Sequence, residues 1–599
     1  MPRAVGIDFG TTRTIVSVWE NGRPVTFVTA EGDRCIPSVV TMSDEEYLIG
    51  AAAKRRLVLQ PHETIYAVKR FLGKSFSQAR TEIARVSYVV EPGANDTNKI
   101  RVQGQLYTPE EIVALLLRQI LDEASRTFRE PIRDVVLSVP ATFTSPQRQA
   151  LSDAAAMAGL QLLQLVQEPT AAALAYGVLK KRSATVLVVD IGSRASEVAL
   201  VDVDRGACEV RASSGDPHLG GDDFDQCLAD YIIEVVKQRY TIDLRPDLYA
   251  RQCLYEAVEQ AKCELSSVLQ TDLHLPRLFF HAGQGGDIHL PIARAQFEAL
   301  VAPLVQRCAL LIEQTLADAG VDASDVDDVV LVGGASRMPA VRAMVKQLTR
   351  GKEPVRDLDP DMAVATGAAL LAGILSGQAE HMLVFEVMPL ALYMGTQSGQ
   401  RSIVTARNAL LPCRATALLP TTADNQPVTD FLLFQSGREA EKDLTTIGRV
   451  LVEGIRPVPQ GVPHIEMTFD FDINGMLTVQ AKDRDTGVPY HVSLLQPGNL
   501  DRKEVRRLTG VTEQRTLAER HRRAVAQLRN AIDSLTEQVE QRLAACGDKI
   551  ALHERLRCAY LVDEARRAVR AQATREVLLQ VQSDLQQSLY GLFAVAAYK

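Results

Sequence analysis

Glu168-Pro169-Thr170-Ala171-Ala172-Ala173-Leu174-Ala175-Tyr176-Gly177 decides the fold when it is read with two short loops. One loop, Gly6-Ile7-Asp8-Phe9-Gly10-Thr11-Thr12, lies near the start of the chain, and the other is Val188-Val189-Asp190-Ile191-Gly192-Ser193-Arg194. Each follows a Val/Ile-rich strand and puts an Asp and a Gly where the chain turns back. Asp8 and Asp190 are hard carboxylates that can hold Mg²⁺ through its waters. Gly10, Thr11 and Thr12 offer N–H and hydroxyl groups to phosphate oxygens. Gly220-Gly221 and Gly333-Gly334 can bring backbone close to a nucleotide again. Any one of these loops alone is an ordinary tight turn. Their succession on the expected strands points to nucleotide phosphates and Mg²⁺ held between two lobes. The repeated strand–Asp–x–Gly element suggests an internal duplication.

At 599 residues the chain exceeds a single core and is expected to form several domains. Residues 1–378 alternate short apolar runs, such as Val135–Val139 and Val329–Val332, with helical stretches such as Pro109–Glu123 and Gln296–Ala317, an α/β pattern. Residues 379–391 form the expected linker, with apolar Met382-Leu383-Val384-Phe385 between His381 and Glu386. The period then changes to two. Ile465, Met467, Phe469 and Phe471 alternate with polar residues, Asn474-Gly475 follows, and Leu477, Val479 and Ala481 resume the alternation. This predicts a β-hairpin within a β domain over 392–498. From 499 to 599 there is no proline, and Leu528, Ile532, Leu535, Val539 and Leu543 recur at helical spacing. That stripe predicts a helical bundle core, with Gly547 separating two helices.

A net charge of −8 implies no broad basic surface and argues against general nucleic-acid binding. The nine cysteines are scattered without a CxxC pair, as expected of reduced thiols in a cytoplasmic protein. Met1-Pro2-Arg3 leads straight into a strand, so no secretory signal is expected. The most apolar stretch, Ala363–Leu375, is short and suits a buried helix better than a membrane span.

The chain resembles the seventy-kilodalton heat-shock chaperones of DnaK type over nearly its whole length. Besides the passages above, the resemblance is carried by Tyr66-Ala67-Val68-Lys69-Arg70-Phe71-Leu72-Gly73, by Val139-Pro140-Ala141-Thr142-Phe143 with Gln147-Arg148-Gln149, and by His218-Leu219-Gly220-Gly221-Asp222-Asp223-Phe224-Asp225. Glu259-Gln260-Ala261-Lys262-Cys263-Glu264-Leu265-Ser266-Ser267 and Val332-Gly333-Gly334-Ala335-Ser336-Arg337-Met338-Pro339 extend it. The resemblance implies an actin-like ATPase of two duplicated lobes, then a β-sandwich peptide-binding domain and an α-helical lid. It implies ATP/ADP and Mg²⁺ as cofactors, with K⁺ as a further candidate. Lys69 then positions the γ-phosphate and attacking water, Glu168 lies near Mg²⁺ and water, and Asp190 orients the water, with Asp8 on the metal. Glu259, Lys262 and Ser266 contact the adenosine, and their i, i+3, i+7 spacing places them on one helix face. Arg337 stacks on adenine, and Arg13, Gly192 and Asp361 belong to the same nucleotide site. Pro140 and Arg148 match the switch and relay that report nucleotide state, and Leu383, Val384 and Glu386 match the linker that docks. Met394, Leu419, Thr429 and Phe431 are expected to line the peptide cleft, although the segment Gly395 to Arg401 looks shortened and Thr429 puts a hydroxyl in the central pocket.

The second phosphate loop departs from the family pattern Asp-Leu-Gly-Gly-Gly-Thr-Phe-Asp. Here Ser193 and Arg194 replace two glycines, Ala195 replaces the threonine, and Glu197 lengthens the acid. If the glycine positions need left-handed backbone, each substitution costs about 1–2 kcal/mol. Arg194 also brings a cation and bulk to where phosphates pass. The expectation is ATP·Mg binding with hydrolysis weaker than is typical of the family. Three readings follow: an ATP-driven chaperone, a specialised relative that binds ATP with little turnover, and a metabolite kinase on the same fold, against which the β and helical parts argue. The implied partners are unfolded client polypeptides, a J-domain cochaperone and a GrpE-type exchange factor, with no nucleic acid and no membrane.

Overall fold

The computed structural model describes residues 3–42, 47–180, 182–240, 243–281, 284–395, 401–437, 444–462, 464–546 and 550–597. Gly547 and most of the Gly395–Arg401 segment lie outside these residues. Two compact units emerge, residues 1–42 with 48–509 and residues 43–47 with 510–599.

The first unit contains two five-strand sheet paths that share a four-strand design. One runs Gln161–Gln167, Asp134–Val139, Ala4–Phe9, Arg13–Glu20, Arg23–Thr26; the other runs Asp328–Val332, Ala184–Ile191, Ser196–Val203, Ala207–Asp216, Leu383–Phe385. The Asp-bearing strand, third in the first path and second in the other, pairs parallel on one side and antiparallel on the other in both. In each, the turn that follows is closed by the same bond, Gly10 N–H to Arg13 O and Gly192 N–H to Ala195 O, both 2.9 Å. The duplication suggested by the sequence is thus present in the direction and order of four strands and in the turn, while Gln161–Gln167 and Leu383–Phe385 extend the two sheets at opposite ends.

The alanine run explains how the two halves meet. Helix Glu168–Lys180 buries Ala171, Ala172, Ala173, Leu174 and Tyr176 against helix Ala363–Leu375 in one shared core. A Cβ at Gly367 would fall 1.7 Å from the Ala171 carbonyl oxygen, so the crossing requires glycine on one helix and small residues on the other. Close approach of this kind forfeits side-chain bulk for backbone contact across a dry interface. Ala363–Leu375 is therefore a buried helix, as its composition predicts. Helix Arg294–Ala319 is long and apolar enough to cross a membrane, but Phe297, Val301, Leu311 and Ile312 are buried in the core of the second lobe.

The predicted hairpin forms with strands His464–Phe471 and Leu477–Asp483, and Ile465, Met467, Phe469 and Phe471 all face inward. Asp472 accepts hydrogen bonds from Asn474 N–H and Met476 N–H, which sets the turn, and Gly475 supplies its positive φ of 69°. With strand Cys413–Pro420 this hairpin forms one sheet, which packs on a five-stranded sheet that includes Ala391–Gly395, Val428–Ser436 and Thr445–Glu453. Strand Leu383–Phe385, the expected linker, is the outermost strand of the second lobe's sheet and pairs with Ala207–Glu209.

The second unit is helical. Leu528, Ile532, Leu535, Val539 and Leu543 of helix Arg502–Cys546 pack with helices Leu552–Arg570 and Arg575–Ala597 around a core of its own. The boundary between the units falls at Thr509/Gly510, about two turns inside the long helix.

Candidate nucleotide-binding site

The two Asp-bearing strand ends converge with helix Glu168–Lys180 on a cluster of carboxylates around one ammonium. Lys69, buried in the 3₁₀ turn Val68–Phe71, donates to Glu168 Oε1 at 2.7 Å and to the Phe9 carbonyl at 2.6 Å. Ser138 Oγ donates to Asp8 Oδ1 at 3.0 Å. Burial, then the Glu168 carboxylate, pushes Asp8 up to about 7, against the pull of Lys69 and Ser138. Burial followed by Glu168, Glu197 and Asp8 holds Asp190 well above the ordinary carboxylate range. Glu197 is raised to about 7, by burial and then Glu168. Four carboxylates share one lysine, an excess of negative charge in low dielectric that a divalent cation relieves.

The phosphate loops have the close approaches that their glycines suggest. Gly221 N–H bonds Gly192 O at 2.9 Å and Asp222 N–H bonds Ser193 O at 2.7 Å, so the start of helix Gly221–Tyr240 lies on the second loop. A Cβ on Gly220 would sit 2.6 Å from Ser193 and Arg194 backbone. Gly333, with φ 78°, passes so near that a Cβ would lie 2.6 Å from Asp190 Oδ1; Gly334 has open space. Ser38 Oγ donates to Gly10 O at 2.9 Å and steadies the first loop beside partly buried Thr11 and exposed Thr12 and Arg13.

The altered second loop corrects one expectation. Neither Ser193 nor Arg194 has a positive φ, so replacing glycine there carries no left-handed strain. Arg194 turns its guanidinium to Asp222, and its carbonyl accepts from Arg70 at 3.2 Å. Burial opposes its charge, but Asp222 outweighs burial and raises the guanidinium above its ordinary value. The extra methylene of Glu197 is also accommodated. Its carboxylate accepts from Ala141 N–H at 2.9 Å, Thr142 N–H at 3.1 Å and Thr142 Oγ at 3.0 Å. Ala195 keeps the turn hydrogen bond through its carbonyl but brings no hydroxyl to the loop.

The adenosine candidates are only partly gathered. Lys262 donates to Asp225 at 2.6 Å and to Gly221 O at 3.1 Å, next to the second loop. Arg337 bonds Asp361 at 2.6 Å and Asp359 at 3.3 Å. Glu259 instead pairs with Lys54 of the opposite lobe at 3.8 Å, and Ser266 Oγ bonds the Lys262 carbonyl of its own helix.

A polar path leaves this site for the β-sandwich. Pro140 ends its strand and is buried, and Ala141 beside it both donates to Glu197 and accepts from Arg148 Nη2 at 3.2 Å. Arg148, fully buried, also donates to Phe143 O and to Asn474 O, each at 3.0 Å. Gln167 N–H donates to Glu386 at 2.8 Å, just past linker residues Leu383, exposed, and Val384, half-buried. In the sandwich, Met394 and Phe431 are inter-sheet core, Phe431 meeting Phe469 edge-on at 6.4 Å; Leu419 packs partly against that core, and Thr429 is half-buried.

Sequence reading missed several residues here. Asn474 reads only as a turn residue, yet its Oδ1 accepts from Leu165 N–H at 2.8 Å. Arg70 adjoins Lys69 in a quoted motif, and it bonds Glu82 at 3.1 Å and His218 at 2.9 Å, tying the lobes together. Arg85 and Asp223, 3.0 Å apart, do the same. An arginine directly after the key lysine was the available signal.

A duplicated α/β body with paired carboxylates between its lobes, joined to a β-sandwich and helices, defines the class of nucleotide-dependent two-lobed proteins with an appended binding module. The family model described as Hsp70 protein matches residues 4–596. Chaperone protein DnaK of Thermus thermophilus is 42% identical over 543 residues, covering 90% of this chain and 88% of the relative. Chaperone protein dnaK of Cyanidioschyzon merolae is 41% identical over 548 residues, 90% of each. The chain belongs to the Hsp70 family.

Proposed function

We propose that this chain is an ATP-dependent molecular chaperone that grips exposed apolar segments of unfolded polypeptides and releases them under nucleotide control. Family membership supports that reading. The observation that carries it here is the hydrogen-bonded path from Glu197, beside the carboxylate cluster, through Ala141 and Arg148 to Asn474 of the β-sandwich.

The residues fit Mg·ATP, because clustered, raised carboxylates at Asp8 and Asp190 need a cation. When bound, Mg·ATP supplies the transferable phosphoryl group and neutralises its charge. Lys69 is placed to offset the charge that develops on that group, and Glu168 holds Lys69 in place. Asp190 offers carboxylate oxygens to orient a water. Gly10, Thr11, Gly192, Gly220 and Gly333 let backbone reach phosphates, while Lys262 and Arg337 stand at the adenosine side. Residues 1–378 act as the ATPase, 379–391 as linker, 392–498 as peptide clamp with Leu419 and Thr429 as the remaining cleft candidates over the core residues Met394 and Phe431, and 499–599 as lid. A J-domain cochaperone and a GrpE-type exchange factor would pace the cycle, K⁺ would assist it, and the eight described free cysteines suit the reducing cytoplasm.

Hydrolysis is slower than in relatives with an all-glycine loop, because the Arg194 guanidinium stands beside that loop. The test is a labelled apolar peptide bound to the purified chain and challenged with Mg·ATP. Accelerated release is expected, and release that ignores ATP overturns the chaperone reading. Release on ATP with no measurable turnover favours the specialised binding protein.

A further inference from the structure

We infer that the hairpin formed by strands Gln270–His281 and Gln284–Ala293 carries a binding site for a divalent transition-metal ion of the Zn²⁺ type, made by His274, His289 and Asp287. Nothing in the nucleotide chemistry uses these residues.

The ladder fixes the site. His274 lies directly opposite His289, and Asp287 is two residues before His289 on the same face. Leu273, Leu275, Ile288, Leu290 and Ile292 point the other way into the lobe's core. A slip of one residue would drive the histidines into that core and expose the aliphatic row, so the register holds the pair in place. The two rings stack with centroids 4.0 Å apart and planes 11° from parallel, which puts two imidazoles over one patch of surface. Asp287 Oδ2 is 3.6 Å from His274 Nε2. One ligand atom from each of the three residues lies within 4.8 Å of the other two. Metal–ligand bonds of about 2.0–2.2 Å require these atoms to draw somewhat closer. All three side chains are exposed, and closing on one ion requires the two rings to turn out of their mutual stack.

The donor set selects the ion. Two imidazole nitrogens with one carboxylate suit Zn²⁺, Cu²⁺ or Ni²⁺, whereas Mg²⁺ and Ca²⁺ prefer all-oxygen shells. Water completes the coordination, since the site lies open. Bound metal would tie the two strands together across their outer face.

The test uses the full chain with Zn²⁺ alone as probe, and reads diethylpyrocarbonate modification of each histidine by peptide mass spectrometry. Zn²⁺ in several-fold excess is expected to slow modification of His274 and His289 together by at least about tenfold, while millimolar Mg²⁺ does not. In H289Q the protection of His274 is expected to fall by a similar factor, with D287N intermediate. The residues are exposed, so these variants fold. Equal modification with and without Zn²⁺, or undiminished protection of His274 in H289Q, overturns the site. The exposed thiol of Cys263 can bind Zn²⁺ but cannot reproduce this histidine-specific pattern.

Discussion

Arg148 Nη1 donates to the carbonyl oxygen of Asn474 at 3.0 Å, joining an α/β lobe to the tip of a β-hairpin 326 residues later in the chain. Arg148 is wholly buried, which lowers its guanidinium below the ordinary arginine value, and the nearby carboxylates of Glu386, Glu197 and Asp472 oppose that effect and favour its charge. Two of these, Glu386 and Asp472, come from the linker and the hairpin turn. The third, Glu197, stands beside the carboxylate cluster of the candidate nucleotide site. A cation fixed by groups from both sides of an interface registers displacement on either side.

Arg148→Ala is therefore expected to uncouple the two parts. It leaves the carbonyls of Ala141, Phe143 and Asn474 without this donor, at about 1–3 kcal/mol for each that stays buried and unpaired. Docking should weaken enough to expose residues 379–391 to protease, and ATP should no longer speed peptide release. Nucleotide affinity, measured by calorimetry, should change little. Retained ATP-triggered release in the variant would show that another contact carries the signal.

Lys69 is the only ammonium bonded within the carboxylate cluster among the described residues, and it is buried beside the half-buried Glu168. Removing one partner of such a pair typically costs about 3–5 kcal/mol. Lys69→Met is expected to lower the thermal stability of the nucleotide-free chain, and excess Mg²⁺ should recover part of the loss by replacing the missing positive charge. Single-turnover hydrolysis should fall by about a hundredfold or more, since an aligned cation of this kind contributes several kcal/mol to the transition state. Calorimetric unfolding with and without Mg²⁺, together with quench-flow kinetics, reads both effects. Hydrolysis at the unaltered rate would remove Lys69 from the chemistry.

The parts that were legible in the sequence are those where one local pattern determines the result. Alternation from Ile465 to Phe471 and from Leu477 to Ala481 defines a hairpin because only one register buries all the large side chains. The Asp8 and Asp190 loops announce themselves because a strand, a carboxylate and a turn glycine are contiguous. Three things were hidden. The backbone at Ser193 and Arg194 avoids left-handed φ, and the glycine that this loop does require is Gly220, on another element, whose Cβ would strike their backbone. The inward face of the sandwich was readable, but alternation does not distinguish a core residue such as Phe431 from a groove residue. Arg148 and Asn474 meet only through docking of distant segments, for which no local periodicity exists.

Glu110 gives a pH prediction remote from the nucleotide. It is buried in the first turn of helix Pro109–Phe128, and burial raises its carboxyl from 4.5 to about 7 despite its own amide and Thr108. The folded state thus holds this proton more tightly than the unfolded state. Between about pH 4.5 and 7 the unfolded chain binds fewer protons, so this group's contribution to stability declines as pH rises through that window. The full shift corresponds to a few kcal/mol, on the order of 3. Glu110→Gln should therefore melt higher than the parent at pH 8, with the difference shrinking towards pH 5. A difference independent of pH would assign the effect to packing.

Arg194 is expected to set how fast bound ATP is hydrolysed. Its guanidinium is held by Asp222 rather than projecting freely, and Tyr66 and Tyr88 lie close enough to contribute to its electrostatics. A cation tethered there would compete with Lys69 and the metal for phosphate oxygens, and any misplacement of the reacting groups is amplified, since about 1.4 kcal/mol is tenfold in rate. Arg194→Gly is expected to raise the single-turnover rate of pre-bound ATP by about tenfold or more, with a much smaller change in ATP affinity. The backbone accepts glycine without cost to the loop's φ, so the comparison isolates the side chain. A fall in rate would reverse the assignment: Arg194 would then leave Asp222 when ATP binds and stabilise the charge on the departing phosphoryl group, which Asp222→Ala should make easier and therefore faster.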